Sequence, residues 1–440
     1  MKYSKKKAMH SRTFRIPRKL LESILFILLI FIPSKVISQT TFEENGIVYY
    51  EDTDNPSKLE VIVMQKKSPK LYPGQSAYKG DIIIPATVEH DLDTYEVVGL
   101  GKLAFMNCDI TSLDIKAPIT EIDDNVIYSN SLKRLFLPNT IIRISGIQTQ
   151  NLEEIKFGDN LEEINLLTIG LVKSLEFPNS LRNINGIDLH DPNHPLDSPY
   201  VIKDFKMGNK IEKIHGMKLS FDISKLTIPS CCKEIIGSFY KLPTLKELKI
   251  EPGICKIENS FEEIPEIKEL NIPGTCEKIE NSFKSLPSLE SIRIEKGVKL
   301  INSSFKELGN LEELIIPGTV KIIDDSFCNF DSLKILRIPD SVEKIKRHSF
   351  NGFKNIEKIY FGKGWSDIDI PGAGLLDLKD GELKEIHCPW EQAPRFYSSP
   401  SDALRGGTAT LKIFVPAGKA QSYLDRWHLI GVKGAEIIEE

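Results

Sequence analysis

Between residues 226 and 361 the apolar positions fall into one six-residue pattern, written six times. It reads Leu245-Lys-Glu-Leu248-Lys-Ile250, Ile267-Lys-Glu-Leu270-Asn-Ile272, Leu289-Glu-Ser-Ile292-Arg-Ile294, Leu311-Glu-Glu-Leu314-Ile-Ile316, Leu333-Lys-Ile-Leu336-Arg-Ile338 and Ile356-Glu-Lys-Ile359-Tyr-Phe361. The step is 22 residues four times, then 23. Such a pattern does not make a helix face. Its last three positions alternate, which predicts a short strand with its apolar side turned inward. Proline often follows, at Pro229, Pro273, Pro317 and Pro339; lacking an N–H, it closes the strand and opens a turn. A short stretch centred on Ile257, Ile279, Ile301, Ile323 and Ile345, Lys-Ile-x in its commonest form, predicts a second brief strand. A Ser-Phe pair then recurs at Phe239, Phe261, Phe283, Phe305, Phe327 and Phe350, predicting a loop or helical turn that brings the chain back.

A fixed period in the twenties marks a solenoid. One coil has about five apolar side chains and cannot close a core, whereas stacked coils bury Leu on Leu, Ile on Ile and Phe on Phe, and the ends need caps. The serines that precede each Phe fall in register too. Short hydroxyl side chains bond readily to nearby backbone, so these serines are expected to form a hydrogen-bonding ladder.

The repeat register extends over most of the chain. It begins at Ile82-Ile-Ile84-Pro85, is interrupted by a loop expected over 89–96, and continues through Leu113, Leu135, Ile155, Leu175, Phe205 and Leu226 into the regular block. It ends with coils at Ile386 and Ile413. A long step holds an insert, His190 to Tyr200, and two more inserts lie at 363–381 and 391–408. Ahead of the repeats, Gly46 to Tyr50 and Leu59 to Val63 alternate like antiparallel strands, giving an N-terminal β cap over 39–80. Repeats then occupy 81–390. Residues 391–440 hold the last repeat and a C-terminal cap, in which Tyr423, Leu424 and Trp427 make the apolar stripe of a short helix.

The first 38 residues read as an export signal: a basic stretch from Lys2 to Lys19, a nine-residue apolar run from Ile24 to Ile32, and Val36-Ile-Ser38 before Gln39 as a cleavage site. An uncleaved signal-anchor is the alternative, although the run is short for a membrane span. The segment carries nine Lys/Arg and one acid, so its removal takes the net charge from −5 to −13. An acidic chain is a poor partner for nucleic acid or anionic membrane.

Taken together, Ile84-Pro85, Tyr95-x-Val97, Ala104-Phe105-x-x-Cys108-x-x-x-x-Leu113-x-Ile115, the Leu-x-x-Leu-x-Ile-Pro and Ser-Phe repeats, and the ending Val415-Pro-Ala-Gly-Lys through Tyr423-Leu424 to Trp427 resemble the BspA-type leucine-rich repeats of bacterial surface antigens. The likeness runs over residues 40–440. It implies a β-rich, right-handed leucine-rich-repeat coil of short parallel strands with loop or short-helix returns, capped at both ends. It also implies an exported, non-enzymatic binding protein at the cell surface or outside, such as an adhesin or host-interaction factor. One departure is Asn-Ser-Phe where many members carry Gly-x-x-Ala-Phe, which is expected to change loop packing but not the fold. Carrying a function over from a fold family is analogy.

No motif for catalysis or a cofactor is found: no P-loop, GxSxG, HExxH or GxGxxG. The seven cysteines show no CxxC spacing, and the histidines supply no matching ligand set. Cys232, Cys255 and Cys276 recur at nearly one place on three neighbouring coils; stacking allows one disulfide among them or leaves free buried thiols. His190 and His194 could be drawn as a metal loop, but Pro192 and Pro195 keep them off one helix face, and a solvated insert is the expected reading.

Surface remains. The residue between the last two inward positions of each strand points outward, forming a column along the sheet. Most members are polar. Around Arg293, Ile315, Arg337 and Tyr360 arginines mix with exposed apolar groups, the residue types favoured where proteins bind. This patch is the candidate partner-binding site for a protein ligand, host-derived in the adhesin reading. The alternative is a periplasmic or surface glycan- or peptide-binding module of a nutrient-uptake system, which would need aromatic platforms in the column. Only Phe136 and Tyr360 qualify.

Overall fold

The structure is a computed structural model. It describes residues 40–51, 59–72, 74–189, 201–218, 220–346, 349–350, 352–364, 383–393, 411–427 and 435–440. The segment expected to be an export signal, the His190–Tyr200 insert and most of the two later inserts lie outside these residues.

Apolar residues at the strand positions of one coil meet their equivalents on the next, and parallel columns result. The Leu-x-Ile strands stack as Ile82 on Leu113 on Leu135 on Ile155, and later as Leu314 on Leu336 on Ile359 on Ile386 on Ile413 on Ile437. The Lys-Ile-x strands form an unbroken sheet of eleven, from Glu121–Ile122 to Lys344–Lys346. A third column of six short strands runs from Phe105–Met106 to Met217–Lys218. The core is a set of ladders: Ile257, Ile279, Ile301 and Ile323 are each fully buried beneath the next coil.

The prolines act as turn openers. The carbonyls of Pro229, Pro273, Pro317 and Pro339 accept the N–H three residues on, at 3.0–3.2 Å. At Gly253 (φ +149°) the turn passes so close to the previous coil that a Cβ would stand 1.7 Å from the Ser230 carbonyl oxygen, which restricts the position to glycine.

The returns between coils are loops rather than helical turns. Alternate residues lie in the left-handed region: Asn259 (φ 47°), Phe261 (60°) and Glu263 (56°), then Asn281 (48°), Phe283 (57°) and Ser285 (56°). This winding puts each Phe flat on the next, with ring centroids 5.2–5.4 Å apart and planes within 9° from Phe239 to Phe327. A left-handed residue costs roughly 1–2 kcal/mol. Burying a phenylalanine is worth about 3–5 kcal/mol against alanine, so each ring outweighs the strain of its own left-handed backbone, while the three left-handed residues of a return together cost about as much as the ring gains. The serine ladder is present. The N–H groups of Ser238, Ser260, Ser282 and Ser304 donate to the Oγ of the serine one coil on, at 3.1–3.2 Å. Each Oγ of Ser260, Ser282 and Ser304 in turn donates to the carbonyl two residues back at 2.7 Å.

The ends differ from the sequence expectation in two places. Residues 89–96 are not a loop: Thr87–His90 and Asp93–Leu100 make a hairpin in a five-stranded sheet with Thr40–Glu44, Ile47–Glu51 and Glu60–Val63. Its turn, Asp91-Leu92, has both residues at positive φ; it lacks the glycine or asparagine that signals such a turn in a sequence. Tyr78 ties this sheet to the first coils. Its hydroxyl accepts the Val48 N–H at 3.0 Å and donates to the Met64 carbonyl at 2.8 Å, while its ring meets Phe105 at 5.2 Å. At the other end, helix Ala420–Arg426 buries Tyr423 and Trp427, and the Tyr423 hydroxyl donates to the Trp390 carbonyl at 2.9 Å. The helix is not the last element, because Ala435–Glu439 adds a further parallel strand beside Leu411–Val415.

Candidate functional site

The outer column places the four expected residues on successive coils. Arg293 pairs in register with Asn271, and Ile315 with Arg337, which pairs with Tyr360. Arg293 and Arg337 are exposed, Ile315 is 61% exposed, and Tyr360 is half-buried. The Arg337 guanidinium lies over the Tyr360 ring, 3.9 Å from its centroid. Such a cation–π contact is worth roughly 0.5–1 kcal/mol at an exposed site, and it holds a long side chain in one place.

The column continues where the sequence reading stopped. His387 stacks on Tyr360 at 4.3 Å and Phe414 on His387 at 4.4 Å, with interplanar angles of 10° and 2°. The signal for both was available, since each follows the central isoleucine of its coil, Ile386 and Ile413. His387 is tied sideways as well: its Nδ1 lies 3.0 Å from the Glu440 carboxylate and its Nε2 3.5 Å from Glu385. Lys358 reaches Glu385 at 2.9 Å, and that contact holds the Glu385 carboxyl below the usual carboxylate range. The result is a preordered strip of Arg337, Tyr360, His387 and Phe414 with exposed Ile315 one coil before it.

Tyr360 offers no open ring face for a sugar to stack on. Stacking covers both faces of the Tyr360 ring, with Arg337 on one side and His387 on the other. Phe136 is likewise approached by Lys156, 5.4 Å from its centroid. Two shallow grooves, of about 780 and 560 Å³, lie beside this part of the sheet and share Lys156 and Phe157. Their charged rims are largely self-paired: Lys206 lies 3.2 Å from Glu176, and Lys156 3.8 Å from Glu154.

Of the two outcomes left open for the stacked cysteines, the free-thiol one holds: Cys232, Cys255 and Cys276 form no disulfide, although Cys255 is not buried. Cys232 and Cys276 are fully buried, in the column of Ile254, Val298 and Val320. Cys255 sits one position further along and is exposed, in the column of Lys233 and Glu277, to which its backbone bonds. Neighbouring thiols therefore point to opposite sides of the wall, and the two that share a side are two coils apart, about 10 Å, beyond disulfide reach. Burial pushes the Cys232 and Cys276 thiols up to about 12, which makes them poor nucleophiles. Among the described residues no group of three His, Cys, Asp or Glu could hold a metal ion, and no helix is long and apolar enough to cross a membrane.

Comparison with solved structures finds a leucine-rich repeat protein from Bacteroides ovatus (16% identity, 90% of this chain and 100% of that one, TM-score 0.41). It also finds the pneumococcal vaccine antigen PcpA (14%, 91% and 99%, TM-score 0.34) and a leucine-rich cell surface protein from Faecalibacterium prausnitzii (15%, 76% and 95%, TM-score 0.35). No curated protein matches. The sequence profile of the BspA-type leucine-rich repeat region matches in six copies, over residues 92–170, 217–326 and 302–370, just over half of the 440 residues. Repeats of this kind are in general non-enzymatic scaffolds for protein interaction. With its ladder of coils and its profile match, the chain belongs to the BspA-type leucine-rich-repeat family.

Proposed function

We propose that this is an exported, non-enzymatic binding protein that engages a protein partner through the outer face of its sheet, acting as a surface or secreted adhesin or host-interaction factor. The observation that carries the reading is the strip centred on Arg337 and Tyr360, held in one arrangement by stacking and flanked by exposed Ile315. A preordered face spends little conformational entropy on binding, and Arg, Tyr and an exposed aliphatic group are the side chains that anchor protein contacts. The working partition of the chain is a leader over 1–38, a cap over 39–80, repeats over 81–390, and the last repeat and cap over 391–440.

Two experiments test this. Protease shaving of intact cells followed by fractionation reads location: loss of the chain from intact cells, or its appearance in the medium, supports the surface role. Protection until the outer envelope is opened refutes it. Binding to immobilised host extracellular proteins, compared between the wild type and a variant carrying Arg293→Glu, Arg337→Glu and Tyr360→Ala, reads the face. Binding that survives all three substitutions rejects the strip as the contact.

A further inference from the structure

Resting on the reading above, the geometry points to the partner's own shape: we infer that the column Arg293–Ile315–Arg337 receives an acidic amphipathic α-helix. The first reason is charge. Arg337 is exposed, makes no ion pair with a carboxylate among the described residues, and has its guanidinium carbon over the Tyr360 ring, 3.9 Å from the centroid. The nearest carboxylate to Arg293 is that of Glu295, at 3.9 Å, with the arginine side chain 79% exposed. By contrast, Lys249, earlier in the same column, is held by Glu251 at 3.0 Å. Two donor-rich cations thus flank one exposed apolar side chain, Ile315, on a chain whose net charge is −5.

The second reason is spacing. Arg293 and Arg337 stand two coils apart, about 10 Å at the strand-to-strand distance. A helix laid along the column repeats about every 5.4 Å, so residues i and i+7 are about 10.5 Å apart with i+3 and i+4 between them. An extended strand laid the same way repeats on one face about every 6.8 Å, so its first and third side chains are about 13.6 Å apart. Over the same span the helix stays in step to within about 1 Å, whereas the strand drifts by nearly 4 Å. Glu at i and i+7 would meet Arg293 and Arg337, and Leu at i+3 or i+4 would cover Ile315.

The test uses the full chain and a fluorescein-labelled helical peptide with Glu at i and i+7, Leu at i+3 and i+4, and Ala and Gln elsewhere, read by fluorescence anisotropy. Binding should weaken at least tenfold in the variant Arg293→Glu/Arg337→Glu and fall as salt is raised. It should return to that variant when the peptide's two glutamates are replaced by lysines. Circular dichroism and thermal melting of the variant establish that it is folded. The inference is overturned if the peptide does not bind at millimolar concentration, if a sequence-scrambled peptide binds equally, or if a proline-containing extended peptide of the same charge binds better. Failure here, with host-protein binding still abolished by the triple variant, would leave the face reading standing and remove only the helix.

Discussion

Ser282→Ala gives the most direct reading of the serine ladder. The Ser282 side chain is fully buried. Its Oγ accepts the Ser260 N–H at 3.2 Å and donates to the Glu280 carbonyl at 2.7 Å. The Glu280 carbonyl also receives the Asn259 N–H at 3.0 Å, so the substitution leaves it partnered. The Ser260 N–H has no second acceptor and becomes a buried donor with nothing to bond, at a cost of about 1–3 kcal/mol. We expect a loss of about 2 kcal/mol. Because long repeat arrays need not unfold in one step, a single denaturation midpoint is a poor measure. Hydrogen exchange at the Ser260 amide reads the rung itself, and about 2 kcal/mol corresponds to roughly 30-fold faster exchange where opening is a rapid pre-equilibrium. Ser349→Ala should cost less, because the Ser326 N–H reaches Oγ there at a longer 3.4 Å. Unchanged exchange at Ser260 in Ser282→Ala would show that packing, not the hydroxyl chain, orders the returns.

Phe283→Ala should destabilise by about 3–5 kcal/mol, since the ring is fully buried between Phe261 and Phe305, and urea unfolding followed by fluorescence and exchange should place the loss in residues 239–327. Glu263 is exposed at φ 56°, so Glu263→Gly should raise stability by about 1 kcal/mol, opposite in sign to glycine placed in a strand. Burial raises the thiols of Cys232 and Cys276 from an ordinary 9.0 to about 12. The folded state keeps these protons where the unfolded chain releases them, so their contribution is full below pH 9 and is lost as pH rises from 9 towards 12. A Cys232→Val/Cys276→Val variant, matching Val298 and Val320 in the same column, should therefore move the alkaline unfolding midpoint upward. In the native wild type, a maleimide probe should label Cys255 while Cys232 and Cys276 resist, and equal labelling of all three would contradict their placement.

The solenoid could be read in advance because its determinants are periodic. Leu-x-x-Leu-x-Ile, the prolines and Ser-Phe each repeat at the coil length, so every copy restates the same constraint, and the serine ladder followed from register alone. What escaped was local and written once. The Asp91-Leu92 turn has leucine where such a turn usually carries glycine, so a hairpin passed for a loop. The strand Ala435–Glu439 is short and follows a segment with no repeat phrase. Cys255 was misplaced by one residue against Cys232 and Cys276, and in a wall where successive side chains alternate, one residue is the difference between inside and outside. Of the candidate site, Arg293, Ile315, Arg337 and Tyr360 could be named from their place in the register. The contact of Arg337 with Tyr360, and its continuation through His387 and Phe414, needed coordinates, because whether neighbouring side chains in a column stack or splay depends on rotamers that sequence spacing does not specify.

The serine chain also has a direction. In the regular block each coil passes one donor forward and keeps its own hydroxyl donation within itself. Every interior coil therefore makes the same demand on its neighbours and meets the same demand from them. A block of 22 residues copied or deleted in frame between Ser238 and Ser326 would leave no unmatched partner on either side. The block therefore tolerates a change in coil number, each added coil lengthening the molecule by about 5 Å. The two ends, built from non-repeating contacts such as those of Tyr78 and Tyr423, would stay as they are.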